Sequence, residues 1–158
     1  VEYLHSQRVL HLDLKSPNVL CASPWTAKLC DFGLAKVLSQ EQSLLQSTLP
    51  GISPVWAPPE MFEQEGGGLS EAADVYSFAI ILLELLTRQL PFREVGGAQL
   101  AQLKVRGELP QILETVPKDC ADLARSCLSA LPAARPTAAA VVAQVREVAR
   151  AHDVRLCS

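Results

Sequence analysis

Two short stretches decide how this chain folds: His11-Leu12-Asp13-Leu14-Lys15-Ser16-Pro17-Asn18 and Asp31-Phe32-Gly33. The aspartates of the two stretches, Asp13 and Asp31, lie 18 positions apart. The side-chain oxygens of Asn18 and Asp31 are hard ligands of the type that magnesium prefers. The ammonium group of Lys15 is a compact positive charge that suits a phosphate oxygen. A single Asp-Phe-Gly triplet is more typical of an ordinary turn, so its interpretation depends on the residues elsewhere in the chain.

Further landmarks occur in a fixed order along the chain. They are Trp56-Ala57-Pro58-Pro59-Glu60, Asp74-Val75-Tyr76-Ser77-Phe78, Pro91-Phe92 and Arg135-Pro136-Thr137. With the first two stretches, this order resembles the carboxyl-terminal lobe of a protein kinase, from its catalytic loop to its last helix. The resemblance runs from Val1 to about Val148. We therefore expect residues 1–150 to be a partial kinase domain and residues 151–158 to be a carboxyl-terminal tail.

The resemblance implies a phosphoryl transfer from ATP, in which positioning and charge neutralisation by magnesium supply most of the catalysis. Asp13 would be the catalytic aspartate that orients the attacking hydroxyl. Lys15 would assist catalysis and contact a phosphate of ATP. Asn18 and Asp31 would hold Mg²⁺ and, through it, the nucleotide. Leu20 would pack beneath the adenine ring, and a plain core leucine is the alternative for that position.

The expected fold is mainly α, a kinase-like large lobe with a small β-hairpin near the active site. The apolar runs Val19–Cys21 and Ala27–Cys30 bracket a turn at Pro24-Trp25 and predict that hairpin. Residues 72–87 are apolar nearly all round, which is typical of a helix in the middle of a domain, and Ser70 is a candidate cap. Further helices are predicted for residues 96–106, 117–128 and 136–151.

Three charged residues match kinase positions that hold the site together. Asp74 matches an aspartate that accepts backbone hydrogen bonds from the catalytic loop. Its alternative role is an amino-terminal helix charge favoured by the macrodipole. Glu60 and Arg135 match a buried ion pair, and two separate surface charges are the alternative. If they pair inside the domain, removing either one leaves an uncompensated charge at a cost of about 3 to 5 kcal/mol.

The pattern of residues 13–18 resembles serine/threonine kinases rather than tyrosine kinases. Ser53 falls where a serine or threonine hydroxyl contacts the catalytic aspartate and lysine. Trp56 adds a likeness to the tyrosine-kinase-like group of serine/threonine kinases. The resemblance thus implies a protein substrate that is phosphorylated on serine or threonine.

One departure from the kinase pattern bears on control. Leu12 stands where many kinases have an arginine that clasps a phosphorylated activation segment, a segment matched here by residues 34–57. Without that arginine, we do not expect activity to depend on the hydroxyl groups of Ser39, Ser43, Ser47 and Thr48.

Only ten residues precede His11, so the sequence holds no glycine-rich loop, strand lysine or helical glutamate of the kinase small lobe. Val1 to Ser6 resembles the last turns of the helix that leads into the catalytic loop. We expect a large lobe without its amino-terminal lobe, inactive by itself and poorly soluble because the helices that cover residues 72–87 would be lost. A pseudokinase-type binding scaffold is the alternative function, because a missing lobe could lack its lysine. An interaction module or inhibitor is a further alternative.

Composition favours a globular domain. Apolar residues make up 49% of the chain and charged residues 20%, which argues against disorder. The net charge of -3 argues against nucleic acid as the main partner. The five cysteines show no paired Cys-x-x-Cys spacing, so reduced thiols and a cytoplasmic location are expected. The longest apolar run, Phe78 to Leu83, is far shorter than the roughly 20 residues of a membrane span.

Overall fold

The computed structural model describes residues 1–23, 26–38, 51, 53–62, 68–111 and 116–153. The expected turn at Pro24-Trp25 lies outside these ranges. The same is true of the four hydroxyl groups at Ser39, Ser43, Ser47 and Thr48. No helix of the described part is long and apolar enough to cross a membrane.

Helices dominate the described part, as expected for a kinase-like large lobe. They are α1 Glu2–Ser6, α2 Glu71–Thr87, α3 Gly97–Val105, α4 Lys118–Cys127 and α5 Ala138–Ala151. Short 3-10 turns occupy Ser16–Asn18, Pro59–Met61 and Pro132–Ala134. The bounds of α2 to α5 agree with the sequence prediction to within two residues at each end. Capping residues explain this agreement, because Ser70 and Thr137 each accept a backbone hydrogen bond at a helix start.

The strands of the described ranges form two separate ladders. Strands β2 Val19–Ser23 and β3 Thr26–Leu29 pair antiparallel, with Val19 opposite Leu29, which confirms the predicted hairpin. Strands β1 Val9–Leu10 and β4 Lys36–Val37 also pair antiparallel, with Val9 opposite Val37. This second ladder encloses both deciding stretches of sequence, so it brings residues 11–18 and 31–33 into one region.

Helix α2 lies at the centre of the largest core. Its buried side chains include Val75, Tyr76, Ala79, Ile80 and Leu83. They pack against side chains of α4 and α5, among them Leu123, Cys127 and Val141. Each large apolar side chain buried in this way contributes about 1.5 to 3 kcal/mol.

The expectation that the lone lobe leaves α2 uncovered is wrong for most of the helix, because α4 and α5 belong to the same chain. The expectation of an all-round buried helix is also wrong in its last turn. Leu85 is 69% exposed, since the core formed with α4 and α5 ends at Leu83.

A second core cluster fixes the loop of residues 11–18. Leu12 is buried there with Leu10, Met61, Leu69 and Ala73. The backbone of Leu12 adopts a φ of 63°, in the left-handed region that non-glycine residues rarely occupy. Burial of the side chain offsets a strain of about 1 to 2 kcal/mol. The residue that replaces the usual kinase arginine is therefore an apolar anchor.

Candidate active site

Asp13 lies at the centre of a compact polar cluster. Its Oδ2 atom accepts a hydrogen bond of 2.7 Å from Nζ of Lys15, and its Oδ1 atom accepts one of 2.9 Å from Oγ of Ser53. Nζ of Lys15 also donates to Oγ of Ser53 at 3.0 Å. Nδ2 of Asn18 donates to the backbone oxygen of Asp13 at 2.9 Å and to Oδ2 at 3.1 Å. The predicted contact of Ser53 with Asp13 and Lys15 is confirmed.

This cluster suits acid–base chemistry on a hydroxyl group. The Asp13 side chain is buried, and both of its oxygens accept hydrogen bonds that fix its position. A carboxylate oxygen has two lone pairs. Oδ2 already accepts from Lys15 and Asn18, whereas Oδ1 accepts one hydrogen bond from the described residues, that of Ser53, and retains capacity for one more donor. An incoming hydroxyl can therefore be oriented by a carboxylate whose own position is fixed.

Asn18 and Asp31 are brought to the same end of the β2–β3 hairpin. Asn18 directly precedes β2, and the backbone N–H of Cys30, which follows β3, donates to the backbone oxygen of Asn18 at 3.0 Å. Asp31 comes next, is exposed, and has a φ of 60°. Its Oδ1 atom accepts a hydrogen bond of 3.3 Å from the N–H of Gly33. The hairpin thus presents an amide and a carboxylate at one end, and the amide is hydrogen-bonded to Asp13.

Two hard oxygen donors fit the way proteins bind Mg²⁺, which keeps several waters and takes one or two carboxylates together with phosphate oxygens. The described ranges contain no group of three or more His, Cys, Asp or Glu side chains positioned to hold a metal. The donor set therefore fits a metal that arrives with a phosphate-bearing ligand better than a metal held by the protein alone.

The predicted nucleotide contact, Leu20, lies on β2 and is 52% exposed. The described residues pack on only part of this side chain, and its contact with the nucleotide stays a prediction. Phe32 is also partly exposed, and its ring lies 4.8 Å from the ring of His11. Nε2 of His11 lies 3.2 Å from the backbone oxygen of Cys30. His11, which sequence reasoning gave no role, thus joins the two deciding stretches.

Asp74 supports the loop of residues 11–18 from α2, as predicted. Its Oδ2 atom accepts a hydrogen bond from the N–H of His11 at 2.9 Å, and its Oδ1 atom accepts one from the N–H of Leu12 at 2.9 Å. Nε2 of His5 on α1 lies 2.9 Å from Oδ2. The contact with His5 has no signal in the sequence, and it ties α1 to the same carboxylate. Asp74 is fully buried, so its role extends beyond a helix-end charge.

Glu60 and Arg135 form the predicted buried ion pair, 75 residues apart in sequence. NH1 and NH2 of Arg135 donate to the two oxygens of Glu60 at 2.7 and 2.8 Å. The guanidinium group also donates to the backbone oxygens of Ala72 and Ser129, at 2.9 and 2.8 Å. The alternative of two surface charges is wrong, because both side chains are buried. Two parallel hydrogen bonds and further acceptors offset the free-energy cost of removing both charges from water.

A sequence profile described as the protein kinase domain matches residues 1–145. The chain belongs to the protein kinase family. Among curated relatives, this kinase chain is 36% identical over 148 residues to human mitogen-activated protein kinase kinase kinase 7, covering 90% of the chain and 23% of the relative. It is 36% identical over 141 residues to Caenorhabditis elegans mitogen-activated protein kinase kinase kinase dlk-1, covering 87% of the chain and 14% of the relative.

A third relative is a probable LIM domain-containing serine/threonine-protein kinase of Dictyostelium discoideum. The identity is 34% over 137 residues, covering 87% of the chain and 20% of the relative. The kinase chain thus spans less than a quarter of the length of each of these relatives. The predicted resemblance to serine/threonine kinases of the tyrosine-kinase-like group is confirmed.

Sequence analysis also gave no role to Lys104 of α3, which is 1% exposed. Its Nζ atom donates to the backbone oxygens of Pro54, Val55 and Ala57, at 3.0, 2.6 and 2.6 Å. Burial lowers its pKa to about 7, while the carboxylate of Glu60 acts in the opposite direction. Lys104 lies four positions after buried Leu100 on the same face of α3, but nothing in the sequence marks the lysine as buried.

Proposed function

We propose that this chain is the large lobe of a serine/threonine protein kinase that transfers the γ-phosphoryl group of ATP to a protein hydroxyl. In this proposal residues 1–150 are part of the kinase domain and residues 151–158 form a tail. The observation that carries the proposal is the Asp13 carboxylate, which is held by Lys15, Ser53 and Asn18. Asp31 follows the strand that pairs with the one after Asn18. Membership of the kinase family supports it.

Asp13 acts on the attacking hydroxyl. Its carboxylate accepts the hydrogen bond of a serine or threonine hydroxyl and takes the proton as the new oxygen–phosphorus bond forms. The bond from the γ-phosphorus to its bridging oxygen breaks, and ADP leaves with that oxygen. Lys15, fixed by Asp13 and Ser53, places its ammonium charge where an oxygen of the transferred group can be neutralised.

ATP and Mg²⁺ are the cofactors that this site implies. Asn18 and Asp31 would hold the metal, and Lys15 would contact a phosphate. Leu20, half exposed on β2, would cover one face of the adenine ring. When bound, magnesium neutralises phosphate charge. The contribution of the chain is to fix Asn18 and Asp31 at the end of one hairpin.

The partners in this proposal are a protein substrate and an amino-terminal kinase lobe. That lobe would supply the glycine-rich loop and the strand lysine, which residues 1–158 do not contain. Residues 1–158 by themselves are therefore expected to transfer no phosphoryl group. The cysteines of the described ranges, Cys21, Cys30, Cys120 and Cys127, are free, which supports a reducing, cytoplasmic location.

Replacement of Asp13 by asparagine in the full-length protein tests the proposal. Phosphate transfer from labelled ATP to a mixture of protein substrates is measured, followed by phosphoamino-acid analysis. Loss of the proton acceptor is expected to lower the rate by about 10²- to 10⁴-fold. The matched control is Asp122→Asn, which changes an exposed carboxylate of α4 and leaves the rate unchanged.

Three outcomes contradict parts of the proposal. Equal rates for Asp13→Asn and the parent protein remove Asp13 from the reaction. A parent protein that binds ATP without transferring phosphate favours the pseudokinase-type scaffold instead. Label found only on tyrosine contradicts the assignment to serine and threonine.

A further inference from the structure

The backbone oxygens of residues 54–57 are all bound by side chains from elsewhere in the fold. Oγ of Ser77 on α2 donates to the oxygen of Trp56 at 2.9 Å. Nζ of Lys104 donates to the other three, those of Pro54, Val55 and Ala57. An ammonium group has three N–H donors, and here each has one acceptor. Buried carbonyl groups need such partners, so Lys104 accounts for most of the hydrogen bonding that fixes this turn.

The turn leads directly to the proposed catalytic centre. The N–H groups of Trp56 and Ala57 donate to the backbone oxygen of Ser53, at 3.1 and 3.0 Å. Oγ of Ser53 in turn bonds to Asp13 and Lys15. A displacement of the turn therefore moves the hydroxyl that joins the carboxylate to the ammonium group.

We propose that protonated Lys104 is a positioning residue, which holds the turn of residues 53–57 so that Ser53 stays between Asp13 and Lys15. Lys104 touches neither Asp13 nor Lys15 and acts through the main chain and Ser53. The inference rests on the proposed kinase function for its effect on rate. Its effect on the position of the turn is independent of that function.

Protonation matters because a neutral amine has two N–H donors and one lone pair. On loss of the proton, one of the three carbonyls of the turn loses its donor and faces a lone pair. The rings of Phe62, Tyr76 and Phe92 surround the ammonium group, with centroids 5.0 to 6.0 Å from Nζ, and favour the cation.

Within the described ranges, the ionisable groups next to Lys104 are the carboxylate of Glu60 and the phenol of Tyr76. The guanidinium group of Arg135 lies against the same Tyr76 ring, with its Cζ 5.0 Å from the ring centroid. Glu60 is paired with Arg135, so its charge is largely neutralised. Burial raises the pKa of Tyr76, which keeps its phenol neutral. With a pKa of about 7, Lys104 changes its charge near neutral pH.

The test compares Lys104→Met and Lys104→Arg with the parent full-length protein in phosphate transfer between about pH 6 and 9. Lys104→Met removes the donors and the charge, and we expect kcat to fall by about tenfold or more with little change in the KM for ATP. The rate of the parent protein is expected to contain a step down with rising pH near pH 7 that Lys104→Met lacks. Lys104→Arg keeps a charge at all these pH values, so it should restore part of the rate without that step. Lys118→Met, on an exposed lysine of α4, is the matched control and should leave kcat unchanged.

Amide hydrogen exchange separates this inference from the proposed function. The N–H groups of Trp56 and Ala57 should exchange about tenfold faster in Lys104→Met than in the parent protein or in Lys118→Met. If the parent protein transfers no phosphate, the proposed function fails, and exchange alone decides whether Lys104 holds the turn. Equal exchange in the two methionine variants overturns the inference.

If Lys104→Met fails to fold, a measurement on the parent protein still tests the inference. The ammonium group of Lys104 is titrated by NMR and compared with the pH dependence of kcat. Coinciding midpoints support the inference. Titration of Lys104 with no matching change in kcat overturns it.

Discussion

Glu60 shows how much depends on a single charged side chain in this lobe. Its carboxylate is buried and accepts two hydrogen bonds from Arg135, which also binds backbone oxygens at the start of α2 and after α4. Glu60→Gln leaves the guanidinium charge buried without its partner. We expect the free energy of unfolding to fall by about 3 to 5 kcal/mol, measured by equilibrium urea unfolding.

Glu94→Gln provides the control for this prediction. Glu94 pairs with Arg93 at 3.4 Å on the surface, where both side chains are well exposed and water screens the charges. Both variants replace glutamate by glutamine, so the difference between their losses in free energy of unfolding reports the effect of burial. A loss for Glu60→Gln as small as that for Glu94→Gln would show that the ion pair contributes little.

The residues of the candidate site differ in how readily the sequence reveals them. Asp13, Asn18 and Asp31 lie in short motifs whose order limits the possible chemistry. Lys104 lies near the end of α3, and a lysine in a helix is normally a solvated side chain. Its burial depends on three carbonyls about 50 positions earlier in the chain. Only the folded chain brings that lysine and those carbonyls together.

At the level of elements, the amino terminus of α2 supports the loop of residues 11–18 through Asp74. Ser70 caps this terminus, where its Oγ accepts a hydrogen bond of 3.3 Å from the N–H of Ala72. We expect Ser70→Ala to lower the free energy of unfolding by about 1 kcal/mol, and Ser70→Gly to lower it by only a few tenths, measured by urea unfolding.

The glycine variant is the internal control for the cap, because it keeps the backbone able to adopt the cap conformation while removing the same hydroxyl. A loss for Ser70→Ala of no more than a few tenths of a kcal/mol would mean that the hydroxyl is not what stabilises the helix start. A loss of Asp74 support would also appear as a lower rate of phosphate transfer, which a cap defect alone would not require.

Elements were predictable where local sequence determines them. Helices α2 and α5 begin after Ser70 and Thr137, which carry their own capping groups. The hairpin of β2 and β3 is indicated by two apolar runs. The pairing of β1 with β4 was missed because each strand has two residues, too few to show a period, and the partners lie about 27 positions apart.

At the level of the whole molecule, the site is assembled on the central helix. Asp74 binds α1 and the loop of residues 11–18, while Ser77 one turn later binds the turn at Trp56. The core beneath them, formed with α4 and α5, fixes the helix on its other face. Helix α2 therefore determines both the stability of the fold and the geometry of the site. A change in the charge of a side chain buried against α2 is expected to alter both.

Changing the pH tests this link between stability and site geometry, because Lys104 changes its charge near neutral pH. Its pKa falls from 10.5 in the unfolded chain to about 7 in the folded one, mainly through burial. Between these values the unfolded chain binds more protons than the folded chain, so the free energy of unfolding rises with pH. One proton gives a slope of at most about 1.4 kcal/mol per pH unit. Urea unfolding at a series of pH values should show this slope in the difference between the parent protein and Lys104→Met.

The effect of Lys104 on stability and its effect on the rate of phosphate transfer are expected to change in opposite directions with pH. Deprotonation removes the penalty for a buried charge and stabilises the fold, yet it takes a donor from the turn that holds Ser53. Stability is thus expected to rise, and the rate of phosphate transfer to fall, as pH increases from about 7. In Lys118→Met, which changes a lysine that is 87% exposed, both curves should match those of the parent protein. Stability and rate that rise together above pH 7 would show that the neutral amine also holds the turn.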